Sequence, residues 1–159
     1  MKHFIPFTLF LLSNLSLIRA EIIINEIHYN SEPNNNLNEF IELYNSGTDT
    51  LDLSGWFFSD GINFQFNEGA LIEAKSFLVI SENPESLQNT LGSFSLGPYT
   101  GNLGSGERIE LRKNDGTIAD SVNYKSEFPW PVGANGTGAS MELINPLLDN
   151  DLGGSWRSS

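Results

Sequence analysis

Carboxylates and amides are the chemistry-bearing residues of this chain, and they gather in two loops. Glu32 stands with Asn34, Asn35 and Asn36, and Asp149, Asn150 and Asp151 follow near the C-terminus. Oxygen ligands of this kind suit calcium. Glu32, Asn34, Asp149 and Asp151 are therefore the candidate metal ligands, and calcium is the one cofactor that comes into question. No Asp-x-Asp-x-Asp-Gly frame with a trailing Glu accompanies them, so they form no EF-hand. The plain reading is a set of solvated turn acids. Catalysis has little to draw on. Beyond the first twenty residues there is one histidine, His28, in a segment that reads as strand. A hydrolase or nuclease needs a base with a positive clamp or a metal set around it. Arg108 and Arg112 alternate onto the outward face of a strand. No Gly-x-Ser-x-Gly elbow, His-Glu-x-x-His pair or phosphate loop occurs. The chain is read as no enzyme.

Other residues invite a binding or a structural role. Asn25 and Glu26 flank a break in the alternation of the first strand. Asn25 reads as a hydrogen-bond partner of a neighbouring turn. Glu26 reads as the answer to an edge strand or to the Trp56 indole, or else as a ligand-binding carboxylate. Leu53-Ser54-Gly55-Trp56 reads as a corner, in which Ser54 bonds local backbone, Gly55 takes a positive φ and Trp56 enters the core. Trp130 lies between Pro129 and Pro131, and such a segment cannot sit inside a sheet. Its ring either lids one end of the core or lies exposed as a binding platform. Asn135-Gly136-Thr137 has the form of a glycosylation acceptor.

The elements that must position these residues are strands and turns. Residues 22–29 are β-branched and aromatic, and residues 39–44 form a second strand ending at Asn45-Ser46-Gly47. Ile62, Phe64 and Phe66 alternate onto one face. Residues 77–81 form a compact apolar strand. In residues 107–112, Ile109 and Leu111 point in and Arg108, Glu110 and Arg112 point out. Asn114-Asp115-Gly116 turns that strand into residues 118–124. There Asp120 shares the parity of Ile118, Val122 and Tyr124. Either a bulge displaces it or it is buried with hydrogen-bond partners. Residues 140–144 are the last clear strand. Residues 83–99 read as irregular, with one helical turn at most at 84–89. About nine short strands with Gly, Asn and Asp turns imply an antiparallel sandwich or small barrel.

Composition sets the boundaries. The 159 residues contain no cysteine, so disulfides, thiolate metal sites and cysteine nucleophiles are excluded. The formal net charge is −12. Residues 1–20 have a basic start, an apolar stretch at 4–12 and Ala20 at a cleavage position, which reads as a secretory signal too short to span a bilayer. Removing them takes away Lys2 and Arg19 and no acid, so six basic against twenty acidic residues leave −14. Such a surface repels nucleic acid and anionic membranes. The remainder is one domain's worth of chain, residues 21–159. No transmembrane segment is expected after signal cleavage.

The ordered set Ile24-Asn25-Glu26-Ile27, Glu39-Phe40-Ile41-Glu42-Leu43-Tyr44-Asn45, Leu51-Asp52-Leu53-Ser54-Gly55-Trp56 and Ser59-Asp60-Gly61 resembles the lamin-tail domain family. Leu103, Gly106, Ile109 and Leu111 extend the match, followed by Ile118, Asp120, Val122 and Tyr124. So do Trp130-Pro131, Gly138-Ala139-Ser140, Glu142-Leu143 and Trp156. The resemblance spans nearly all of residues 21–156 and looks most like the exported bacterial type. It implies an all-β, mainly antiparallel, immunoglobulin-like β-sandwich. Asn25, Ser54, Gly55, Trp56, Asp60, Asp120 and Trp156 would be its structural signature. Trp130 and Glu26 are the candidate binding residues. The function implied is a secreted or extracytoplasmic, non-catalytic binding or accessory module for a protein or a cell-surface glycan, with no nucleic-acid partner. Two alternatives stay open. One is the N-terminal targeting domain of a larger secreted hydrolase or nuclease, truncated here at its C-terminus. The other is a structural or calcium-stabilised surface adhesion protein.

Overall fold

The computed structural model describes residues 21–30 and 38–159. Residues 1–20, read above as a secretory signal, and the Glu32 and Asn34 positions lie outside the described residues. In chain order the strands are β1 (Ile22–His28), β2 (Phe40–Asn45), β3 (Leu51–Asp52), β4 (Phe57–Asp60), β5 (Ile62–Gln65), β6 (Leu71–Ile72), β7 (Phe77–Ser81), β8 (Thr100–Gly101), β9 (Arg108–Arg112), β10 (Ile118–Asn123), β11 (Met141–Leu143) and β12 (Trp156–Ser158). One α-helix, α1 (Pro84–Leu91), lies between β7 and β8.

These strands make two five-stranded sheets, ordered β12-β11-β1-β2-β7 and β10-β9-β4-β5-β8, and a small β3-β6 pair. All strand pairings are antiparallel. Alternation in the strands assigns the faces. Ile24 and Ile27 of β1, Ile41 and Leu43 of β2, and Ile80 of β7 are fully buried. They belong to one hydrophobic core with Phe58, Ile109, Leu111 and Val122 of the second sheet. The fold is the expected all-β, immunoglobulin-like sandwich. Strand β1 lies in the interior of its sheet, so Glu26 does not answer an edge strand.

Three readings need correction. The described strands number twelve, because short pairings such as β3–β6 add to the nine expected. The chain continues past residues 140–144 into β12, which pairs with β11 at Glu142↔Arg157 and Leu143↔Trp156. And residues 84–91 make two helical turns. The helix carries only Leu87 as a buried anchor, so no three-turn apolar stripe announces it. Its ends compensate. Asn83 accepts the Ser86 N–H at 2.9 Å, Pro84 opens the first turn, and Gly92 in the left-handed region donates to Gln88 O at 3.0 Å.

Candidate functional site

Two bulges face each other across the sandwich. The register of β1 against β2 shifts between Ile24 and Glu26, and that of β10 against β9 shifts between Ile118 and Asp120. A bulge leaves ladder groups unpaired. Here the Ile24 N–H of one sheet donates to Asp120 Oδ2 of the other at 2.7 Å. Asn150 Nδ2 donates to the same oxygen at 2.8 Å, and the Asn150 carbonyl accepts the Trp156 indole N–H at 2.8 Å. Both readings of Asp120 therefore hold: the bulge turns Ile118 outward, and Asp120 is turned in with partners. Burial pushes its carboxyl up to about 6, against the pull of the Ile24 and Asn150 donors. Asp120 and Trp156 form one inter-sheet node, and the Asn25 bulge supplies its backbone donor.

On the outer face of the first sheet, register creates a row of charge. Glu26 stands opposite Glu142 on one side and Glu42 on the other, while Arg157 is opposite Glu142 and Val79 opposite Glu42. Like charges directly opposite one another destabilise a sheet. Arg157 answers Glu142 with an ion pair of 2.9 Å. Among the described residues the other two receive only neutral partners: Asn25 Nδ2 donates to Glu42 Oε1 at 3.0 Å, and the Ser140 hydroxyl donates to Glu26 Oε1. Asn25 thus bonds a neighbouring strand and not a turn, and Glu26 meets Ser140 and not the Trp56 indole. Burial, and after it the Glu26 and Glu142 charges, push the Glu42 carboxyl up to about 7 despite the Asn25 bond. The Glu26 carboxyl is also raised, chiefly by burial. A cleft of about 210 Å³ opens over this pair, walled by Phe40, Val79, Leu87, Leu91 and Ser93.

Trp130 is buried, 7% exposed, and its ring centroid lies 6.1 Å from that of Trp156. It lids one end of the core and offers no exposed stacking face, which corrects the platform reading. Gly153 allows this closure, since a Cβ there would fall 2.9 Å from Pro129 C and Trp130 N. At the opposite corner Gly55 has φ +75° and Ser54 accepts the Gly69 N–H at 2.8 Å. Asp52, not local backbone alone, takes the Ser54 N–H at 2.8 Å and its hydroxyl at 2.5 Å. Trp56 is half-buried against the core with Lys113 Nζ 5.7 Å from its ring centroid. Asp60 is exposed and accepts the Gly61 N–H at 3.0 Å.

The C-terminal loop acids serve backbone N–H groups, one in their own loop and one at the end of β10. Asp149 Oδ1 accepts the Asp151 N–H at 3.0 Å, and Asp151 Oδ1 accepts the Asn123 N–H at 2.7 Å. Among the described residues no three His, Cys, Asp or Glu side chains converge closely enough to hold a metal ion. His28 is buried with Nδ1 3.0 Å from Asn38 O, and burial lowers its pKa. Arg108 and Arg112 do not stand free on an outward face. They grip Glu110, which is buried at 7% exposure and also accepts the Ser59 hydroxyl at 2.8 Å.

A further polar cluster escapes sequence reasoning. Glu39, 2% exposed, accepts the Leu103 N–H at 2.9 Å, and burial foremost pushes its carboxyl up to about 7, with Glu82 and Glu107 adding to the rise. The buried Tyr99 hydroxyl faces these acids without closing a hydrogen bond of normal geometry. One signal was available: Glu39 has the parity of Ile41 and Leu43, so it must point inward.

No curated protein matches this chain. The model of one family, Lamin Tail Domain, matches residues 19–126. The match holds the β1 bulge, the Ser54–Trp56 corner and Asp120, and it stops short of Trp130 and Trp156, which the sequence resemblance included. No described helix is long and apolar enough to cross a membrane. With more than half of its length matched, the chain belongs to the lamin tail domain family, a non-catalytic domain type.

Proposed function

We propose that this protein is an exported binding or accessory module that engages a protein partner through one loop end of the sandwich. The observation that carries this reading is an exposed apolar surface. Phe128 is 87% exposed, and Val132 is exposed on the same loop. Leu147, Leu148 and Leu152 are exposed on the loop between β11 and β12. The two loops touch where Gly153 backs onto Pro129 and Trp130. Single exposed apolar side chains are ordinary, but five of them on two touching loops support the reading of an interaction surface. Four of the five side chains are aliphatic and only Phe128 is aromatic, which favours a protein over a glycan, because sugars are held by flat aromatic faces and polar groups. The rigid Trp130–Trp156 lid beneath supplies a preformed support. Export rests on the leader-like residues 1–20.

The test is a binding screen of the protein against arrays of cell-surface proteins and of glycans, repeated with Phe128→Ser/Leu152→Ser. Protein hits that vanish in the double variant, with its melting transition kept, support the reading. Hits on glycans alone transfer it to the carbohydrate alternative. An empty protein array overturns it.

A further inference from the structure

We infer that the cleft between α1 and the outer face of the first sheet receives a basic side chain, lysine or arginine, presented by the protein partner. The inference rests on the binding-module reading above and assigns it a second contact of defined chemistry.

Three features converge on a long cation with an apolar stem. The floor carries Glu26 and Glu42 side by side, and among the described residues neither has a cationic partner. The walls are aliphatic or aromatic: Phe40, Val79, Leu87 and Leu91. The space, about 210 Å³, takes one side chain and no folded element. A lysine or arginine matches this division, because its methylene stem covers apolar surface while its charged head seeks a counter-ion. The row itself shows the arrangement. Its third carboxylate, Glu142, is already met by Arg157, which donates from both Nε and an Nη atom, at 3.1 and 2.9 Å. Glu26 and Glu42 repeat the carboxylate without the cation.

Other occupants fit less well. A hard metal ion wants six or more oxygens, and no metal-holding group of acids forms among the described residues. A second copy of the chain approaches with a net charge of −14 outside the signal segment, which opposes self-association. The same charge draws a basic partner and accelerates its encounter. A bound cation offsets both the burial of the Glu42 carboxyl and the Glu26 and Glu142 charges beside it, which is where the gain arises.

The test uses N-acetyl-lysine methylamide as probe in an amide-detected NMR titration of the labelled protein at pH 7.5. Acetyl-norleucine methylamide serves as the uncharged control. The lysine probe is expected to shift the amides of Glu26, Glu42 and residues 87–93, with a dissociation constant of roughly 1 mM, the range for a ligand of its size. Glu42→Gln should weaken it at least tenfold while the spectrum stays folded. Leu91→Lys, which places a cation on the rim, should also weaken it. No shifts at these positions, equal shifts with norleucine, or undiminished binding by Glu42→Gln would each overturn the inference. The two proposals fail separately. Protein hits that survive Glu26→Gln/Glu42→Gln, with no lysine response, remove the cleft and leave the module. A lysine response beside an empty protein array keeps the cleft and removes the module.

Discussion

The Asp120 node and the Glu26–Glu42 pair are both half-buried acids beside a bulge, and they are treated differently. Asp120 receives a backbone N–H and an amide on a single oxygen, and those donors tie the two sheets together. Glu26 and Glu42 each receive one neutral donor and face each other's charge. A buried carboxylate whose donors come from structure that must be ordered anyway acts as a fastener. One whose charge exceeds its donors stores a preference for an incoming cation. In the proposal above, the charge row and the cleft over it set Glu26 and Glu42 apart from Asp120, and burial alone does not.

The comparison can be tested from its most stabilising member downward. Trp130 packs on Trp156, which is tied through Asn150 to Asp120. Trp130→Ala should cost about 3–5 kcal/mol in urea denaturation, the range for deleting a buried aromatic ring. A loss near zero would return Trp130 to the role of an exposed platform. Asp120→Ala leaves the Ile24 N–H without its acceptor and should cost about 2–3 kcal/mol. An unchanged midpoint would break the fastener side of the comparison.

The third expectation concerns pH. Glu39 and Glu42 rise to about 7 and Asp120 to about 6 in the folded state, above their ordinary values of 4.5 and 3.8. The folded state therefore holds more protons than the unfolded chain between those limits. Stability from these groups is highest at acid pH and falls as pH rises, through about 6 for Asp120 and through about 7 for Glu39 and Glu42. Glu42→Gln should flatten the loss between pH 5 and pH 8 by on the order of 1 kcal/mol, after allowance for solvent screening of a half-exposed group. An unchanged slope, measured by denaturation at the two pH values, would mean that neither burial nor the row's charge raises the Glu42 carboxyl. Calcium is expected to act least, because Asp149 and Asp151 spend oxygens on backbone N–H groups. A site saturated a hundredfold would add about 2.7 kcal/mol. A gain of that size on adding calcium chloride would restore the calcium-stabilised reading.

Much of the sandwich was legible because strand patterning is local. Ile109 with Leu111, and Ile41 with Leu43, announce their buried face by alternation, and Gly55 and Gly116 mark turns where φ is positive. Helix α1 was less legible, since its caps carry it and only one leucine is buried. The candidate site was legible in part. Glu26 and Asp120 stand out as polar breaks in apolar patterns. Glu42 does not, because an acid on the outward parity of a strand is ordinary. It gains meaning only from the acid opposite.

The amino-acid order determined by itself the strands, the turns, the lack of thiol chemistry and the acidic surface. Each depends on a residue and its near neighbours, or on a sum over the chain. Tertiary structure alone decided that Glu142, Glu26 and Glu42 stand in one row, that Asp120 meets the Ile24 N–H ninety-six residues away, and that Trp130 is covered. Register and sheet packing set those encounters. A shift of one residue in either would send the same side chains to opposite faces.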